Sequence, residues 1–154
     1  MHIAELNVAK SRFDFDDPRM QEFLDMIAGV NALADRSAGF VWRLKDDTGA
    51  GAVGIQATDD PRLMVNMSVW ETPETLENYV WQTVHKRVYN RKNDWFEHIP
   101  EASFVMWPVE VGHLPTLKEA LERLDHLRKH GSSEYAYGWE GLPHLKQWLT
   151  KQCG

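Results

Sequence analysis

The sequence predicts an α+β domain of the ferredoxin-like split βαβ type with an antiparallel sheet, and three observations carry that prediction. Apolar residues alternate along 2–9 and 63–70, the period of a strand. They recur at three- and four-residue spacing along 18–36 and after Thr72, the period of a helix. Up to residue 109 these segments follow one another as strand, helix, two strands, helix, strand, which is the split βαβ order.

Each element has a local reason. In the first strand Ala4, Leu6 and Val8 share one face, and Ile3, Glu5 and Asn7 share the other, which is partly polar. Asp17 and Pro18 make an N-cap and first turn, after which Phe23, Leu24, Ile27, Val30 and Ala34 recur at helical spacing until Gly39. Phe40, Trp42 and Leu44 alternate with Val41 and Arg43 in a second strand that ends at the turn-forming residues 45–49. The third strand sets Leu63, Val65, Met67 and Val69 against Met64, Asn66, Ser68 and Trp70. Thr72 and Pro73 cap a helix whose arc runs through Leu76, Val80, Val84 and Val88, and which is expected to continue through Asp94, Trp95 and Phe96. Residues 103–109 are apolar on both faces, as in a strand covered on both sides. Thr116 and Glu119 form a capping box for a helix lined by Leu117, Ala120, Leu121, Leu124 and Leu127 and closed by Gly131. A short strand is expected over 135–139 and a last short helix over 145–151. Residues 1–140 are read as the domain and 141–154 as a C-terminal extension.

With 154 residues the chain fits one domain, and such a domain buries roughly 68–70% of the surface its unfolded chain exposes. Seven tryptophans exceed what a core needs, which points to aromatic-walled cavities or interfaces. A formal charge of −6 supplies no attraction to a phosphate backbone, so nucleic acid is not an expected partner. Cys153 is the single cysteine and leaves no internal disulfide, which fits a reducing cytoplasm. The first residues lack a basic and an apolar leader region, and no apolar run approaches the roughly 20 residues of a membrane span. Helices on one face of the sheet would leave the other apolar face in need of cover, most simply the sheet of a second copy, so a homodimer is expected.

Several motifs have competing readings. Gly49, Gly51 and Gly54 match GxGxxG, but no helix follows to hold a pyrophosphate, so a loop between strands is the reading. His126 and His130 lie four apart and could share a metal ion, although no HExxH frame surrounds them; a solvated helix face is expected. Lys86, Arg87, Arg91 and Lys92 favourably meet a helix C-terminus. The first and third strands are neighbours in a ferredoxin-like sheet, so Asn7 is expected close to Asn66 or Ser68. With Glu5 and Arg43 these residues form either a satisfied polar network at a dimer interface or the polar floor of a pocket. His85, one turn after Trp81, sits at the rim of the apolar arc, where its imidazole could serve as a general base or a haem ligand.

The blocks His-Ile-Ala-Glu-Leu-Asn at 2–7, Gly-Phe-Val-Trp-Arg-Leu at 39–44, Asn-Met-Ser-Val-Trp-Glu at 66–71 and Gly-His-Leu-Pro-Thr at 112–116 resemble an uncharacterised family, a domain of unknown function. That family is similar to those of the dimeric α/β-barrel superfamily, which includes antibiotic-biosynthesis-type monooxygenases. The resemblance implies the ferredoxin-like fold and a dimer, but no assigned reaction. Haem-degrading members of the superfamily use a first-strand Asn, a helix Trp and a helix His, which Asn7 and His85 match in type and element. Tyr79 stands at the Trp position, with Trp81 one step beyond. The resemblance thus implies catalytic roles for His85 and Asn7, and with the strand-face reading it leads to the expectation of an apolar or aromatic substrate in a pocket lined by Trp70, Tyr79, Trp81, Asn66, Ser68 and Arg43. His113 is a further candidate. Haem through His85, a cofactor-independent oxygenase, and a cyclase or isomerase using His85 as base all stay open, as does a non-catalytic ligand-binding or dimeric interaction module.

Overall fold

A computed structural model describes residues 1–49, 51–84 and 87–145. Strands β1 (His2–Ser11), β2 (Phe40–Arg43), β3 (Leu63–Trp70), β4 (Phe96–Glu97) and β5 (Phe104–Val109) form one antiparallel sheet. β3 lies between β2 and β1, and the outer edge of β1 pairs with β5 at His2–Asn7 and with β4 at Lys10 and Ser11. This is the predicted ferredoxin-like arrangement, in which the first and third strands are neighbours.

Helix α1 (Gln21–Asp35) follows a short turn of tighter helix at Pro18–Met20, where the Asp17 carboxylate accepts from the Arg19 backbone N–H at 2.9 Å. Helix α2 (Pro73–Tyr79) starts at a complete capping box made by Thr72 and Thr75. It does not continue as one helix to Phe96. Val80–Val84 widens into a π-type turn, a 3-10 turn occupies Tyr89–Arg91, and α3 (Lys92–Trp95) gives way to strand β4. Phe96 thus pairs with Ser11 in the sheet instead of ending a helix. Helix α4 (Leu117–His130) is capped by Thr116, whose hydroxyl accepts from the Glu119 backbone N–H at 3.1 Å. The return half of the expected box is missing because the Glu119 carboxylate bonds Trp107 and His113 instead. The strand expected at 135–139 is a single bridge from Tyr137 to Met106, followed by a turn at Trp139–Gly141. The helix expected at 145–151 lies outside the described residues beyond Leu145.

The sheet has two unlike faces. Ala4, Leu6, Val65, Met67, Val69, Val105 and Trp107 make an apolar face that is buried against Ala120, Leu124 and Leu127 of α4. The face predicted to need a second copy's sheet is therefore covered by the chain's own helix α4. Ile3, Glu5, Asn7, Met64, Asn66, Ser68 and Trp70 make the opposite face, under α1 and α2.

A bulge decides which residues of β2 join which face. Phe40 pairs with Trp70 and Trp42 with Val69, so one extra residue, Val41, interrupts the alternation. Phe40 and Arg43 consequently share the polar face, and Trp42 packs with the apolar one. Simple alternation groups Phe40 with Trp42, which the bulge corrects.

Among the described residues, no helix is long and apolar enough to cross a membrane. Gly49 adopts a positive φ of 74° in the glycine-rich segment, and Asp46 ties that segment into a loop by accepting from the Thr48 and Gly54 backbone N–H groups. No helix follows it, as expected for a connection between strands.

Candidate functional site

The polar sheet face forms the floor of a cavity of about 870 Å³ roofed by α1, α2 and the π-type turn. Strand register fixes its layout. Asn7 lies directly opposite Asn66, Glu5 opposite Ser68, and Ile3 opposite Trp70. Arg43 continues the Glu5 row on the far side of Ser68, and Met106 flanks Glu5 on the other side. The expected proximity of Asn7 to Asn66 follows directly from this pairing.

Trp70 is fully buried at the inner end. It stacks on Tyr79 with ring centroids 5.0 Å apart and meets the edge of Phe40 at 5.5 Å. Its indole N–H donates to the Ser68 hydroxyl at 2.9 Å, and that hydroxyl donates to the Glu5 carboxyl at 2.6 Å. Tyr79 donates to the Val30 carbonyl at 3.1 Å, which anchors α2 to α1, and burial pushes the phenol pKa up. Trp81 is buried and also lines the cavity.

Electrostatically the floor is unusual for its depth. Glu5 is 5% exposed, and burial pushes its carboxyl up to about 8, only partly offset by the Ser68 hydrogen bond. Arg43 is 7% exposed and does not serve Glu5 as a salt-bridge partner. Its guanidinium donates to both Asp35 oxygens at 2.7 and 3.2 Å and to the Gly49 carbonyl at 2.8 Å. That pairing holds the Asp35 carboxyl below the ordinary aspartate range. Exposed Lys92, Glu97 and His98 line the part of the cavity that meets solvent.

Of the residues singled out from sequence, Asn7, Arg43, Asn66, Ser68, Trp70, Tyr79 and Trp81 thus line one cavity. His113 does not join them. Its Nε2 lies 3.0 Å from the Glu119 carboxylate at the start of α4, 47% exposed. His85 lies outside the described residues. The feature that sequence reasoning underrated is Glu5, visible only as one member of a polar strand face until its burial is seen.

The chemistry of the described lining bears on a haem. Glu5, Asn7, Asn66 and Ser68 on the floor offer oxygen and amide groups, none of them an axial ligand of the usual haem type, whereas the lining also holds Tyr79, whose hydroxyl donates to the Val30 carbonyl, and His98 at the solvent-facing part. The floor thus holds no haem ligand, the haem reading made from sequence names His85, outside the described residues, and no step is derived through that group. Outside the cavity, the His126 and His130 rings lie 4.5 Å apart on α4, with Tyr135 4.8 Å from His126. Among the described residues no group of three or more side chains is arranged to hold a metal ion.

A family model described as Domain of unknown function (DUF3291) matches residues 2–153, in agreement with the resemblance carried by the four sequence blocks. None of the curated proteins compared matches the chain. Among solved structures, a candidate antibiotic biosynthesis monooxygenase from Chloroflexus aurantiacus J-10-fl is similar at 14% identity and a TM-score of 0.43, over 73% of this chain and 97% of that one.

Proposed function

We propose, from the premise that the chain belongs to the DUF3291 family of unknown function, that it binds a small apolar or aromatic molecule between sheet and helices and acts on it as a monooxygenase-like enzyme. The observation that carries this reading is the cavity itself, which gathers seven of the residues singled out from sequence around a buried carboxyl group. Ligand sites are characteristically concave and mainly apolar with a few convergent polar groups, and this one has that composition. In this reading Trp70, Tyr79 and Trp81 enclose the apolar body of the ligand. Asn7, Asn66, Ser68 and Arg43 form the polar floor, and Asn7 and His85 take the catalytic roles implied by the resemblance.

A homodimer in a reducing cytoplasm belongs to the same proposal. Because α4 occupies the apolar sheet face, the proposed dimer would associate through another surface.

The test is titration with N-phenyl-1-naphthylamine, whose fluorescence rises in apolar surroundings. Saturable binding at one site per chain is expected, and Ala9→Trp, which projects an indole into the cavity beside Met64, is expected to weaken it without changing the far-ultraviolet circular dichroism. Undiminished binding in that variant moves the ligand site elsewhere. Oxygen uptake with bound phenolic compounds then separates enzyme from binder. Uptake above the protein-free rate supports the oxygenase reading, and binding without uptake leaves a non-catalytic ligand-binding module.

A further inference from the structure

Most hydrogen-bonding protons at the inner end of the cavity are already assigned, the exception being Nη1 of Arg43, which is buried without a partner among the described residues. The Trp70 N–H goes to Ser68, the Ser68 O–H to Glu5, and the Tyr79 O–H to the Val30 carbonyl. Among the described residues, the groups around Glu5 come from the neighbouring strands and from α1 and α2. Ser68 flanks it on β3 and apolar Met106 on β5. Arg43 of β2 is held by Asp35 of α1, and Tyr79 of α2 faces the same space. Lys92, Glu97 and His98 belong to the solvent-facing part of the lining.

Two consequences follow. The Arg43 charge is compensated by Asp35, so a ligand carboxylate reaching this depth would lose its hydration and meet a neutral ion pair, with Nη1 of Arg43 as its one open donor and no uncompensated cation. Burial also keeps the Glu5 carboxyl protonated at neutral pH, and a protonated carboxyl has one O–H to donate. Within a low-dielectric cavity that donor finds its best partner in an acceptor carried by the ligand.

Resting on the reading of the cavity as a ligand site, we propose that Glu5 is its recognition group and selects neutral apolar or aromatic molecules bearing a carbonyl, donating its carboxylic proton to the carbonyl oxygen in a hydrogen bond. The ligand class is thereby narrowed to uncharged aryl or alkyl ketones, aldehydes and their like. Anionic and cationic analogues of the same size are disfavoured.

The experiment compares 2-acetylnaphthalene, 2-ethylnaphthalene and 2-naphthoate by quenching of the intrinsic tryptophan fluorescence between pH 6 and pH 9.5. At pH 6 the ketone is expected to bind roughly fivefold to tenfold more tightly than the hydrocarbon, the value of one neutral hydrogen bond. That preference should fade as pH rises through about 8, where Glu5 loses its proton. The Glu5→Gln variant retains a donor, so it should keep the preference and lose its pH dependence. Glu5→Leu should lose the preference and still bind 2-ethylnaphthalene. Equal binding of ketone and hydrocarbon, a preference independent of pH in the wild type, or tighter binding of 2-naphthoate overturns the role of Glu5 and leaves the cavity a ligand site. Failure of all three compounds to bind overturns both readings.

Discussion

A carboxyl group enclosed by apolar side chains is stable either paired with a cation or neutral, and Glu5 takes the second course. Arg43, the cation on its own sheet row, is committed to Asp35. The stability consequence has a definite sign. In the unfolded chain a glutamate ionises near its ordinary value of 4.5, whereas folded Glu5 holds its proton to about 8. Below pH 4.5 both states are protonated and folding carries no penalty from this group. As pH rises from 4.5 to 8 only the unfolded chain gains by ionising, so stability falls, and above about 8 the loss is complete. At pH 7 the loss is about 3 kcal/mol. Glu5→Gln keeps an oxygen acceptor for Ser68 and removes the titration. Urea denaturation at pH 5 and pH 8 is expected to show wild-type stability falling relative to that variant, and parallel behaviour would mean that Glu5 is not held neutral. Strand alternation in the sequence already groups Glu5 with Asn7 on one face. The depth of burial was not legible, because it depends on Met106 and Ser68 arriving from distant parts of the chain to flank it.

At the scale of elements, legibility follows how local the determining interactions are. The caps at Asp17, Thr72 and Thr116 act within three residues of themselves, and all three helical segments begin where those residues stand. The bulge at Val41 left no mark in the alternation, since an extra residue in a strand is chosen by its partner strand. The break after Tyr79 has a partial signal. Leu76 and Val80 are spaced by four, and an α-helix repeats every 3.6 residues, so a stripe spaced by fours slips around its surface. A π-type turn at Val80–Val84 turns the chain more slowly there. α2 is thus a short helix of seven residues whose start matters more than in a long one. Thr72→Ala removes the side-chain acceptor for the Thr75 N–H and is expected to cost about 1 kcal/mol in chemical denaturation. Because α2 carries Tyr79 over the cavity, the same variant is expected to weaken N-phenyl-1-naphthylamine binding; unchanged binding would mean that the Tyr79 contacts to Trp70 and Val30 hold the roof without the cap.

For the whole molecule, the order of strands and helices was sufficient for the fold class, because a split βαβ order admits few antiparallel arrangements. The destination of α4 was not contained in that order. Alternation marks two apolar-capable faces, and a helix following the last strand can return to either. It returns to the fully apolar one, where Leu124 is buried against the sheet. This changes what a dimer can be. Two sheets cannot pack face to face through a surface already filled by a helix, so a dimer that leaves α4 in place would use other residues. Leu124→Ala separates the two arrangements. The cavity it leaves is expected to cost about 2–5 kcal/mol of stability. If the interface lies elsewhere, sedimentation velocity at micromolar concentration should give a dimer for both wild type and variant, with the loss confined to the unfolding midpoint. A dimer that dissociates in the variant while the far-ultraviolet circular dichroism stays native would show that α4 and the sheet beneath it form the interface. A wild-type monomer would remove the homodimer altogether and leave the cavity of each chain as a self-sufficient site.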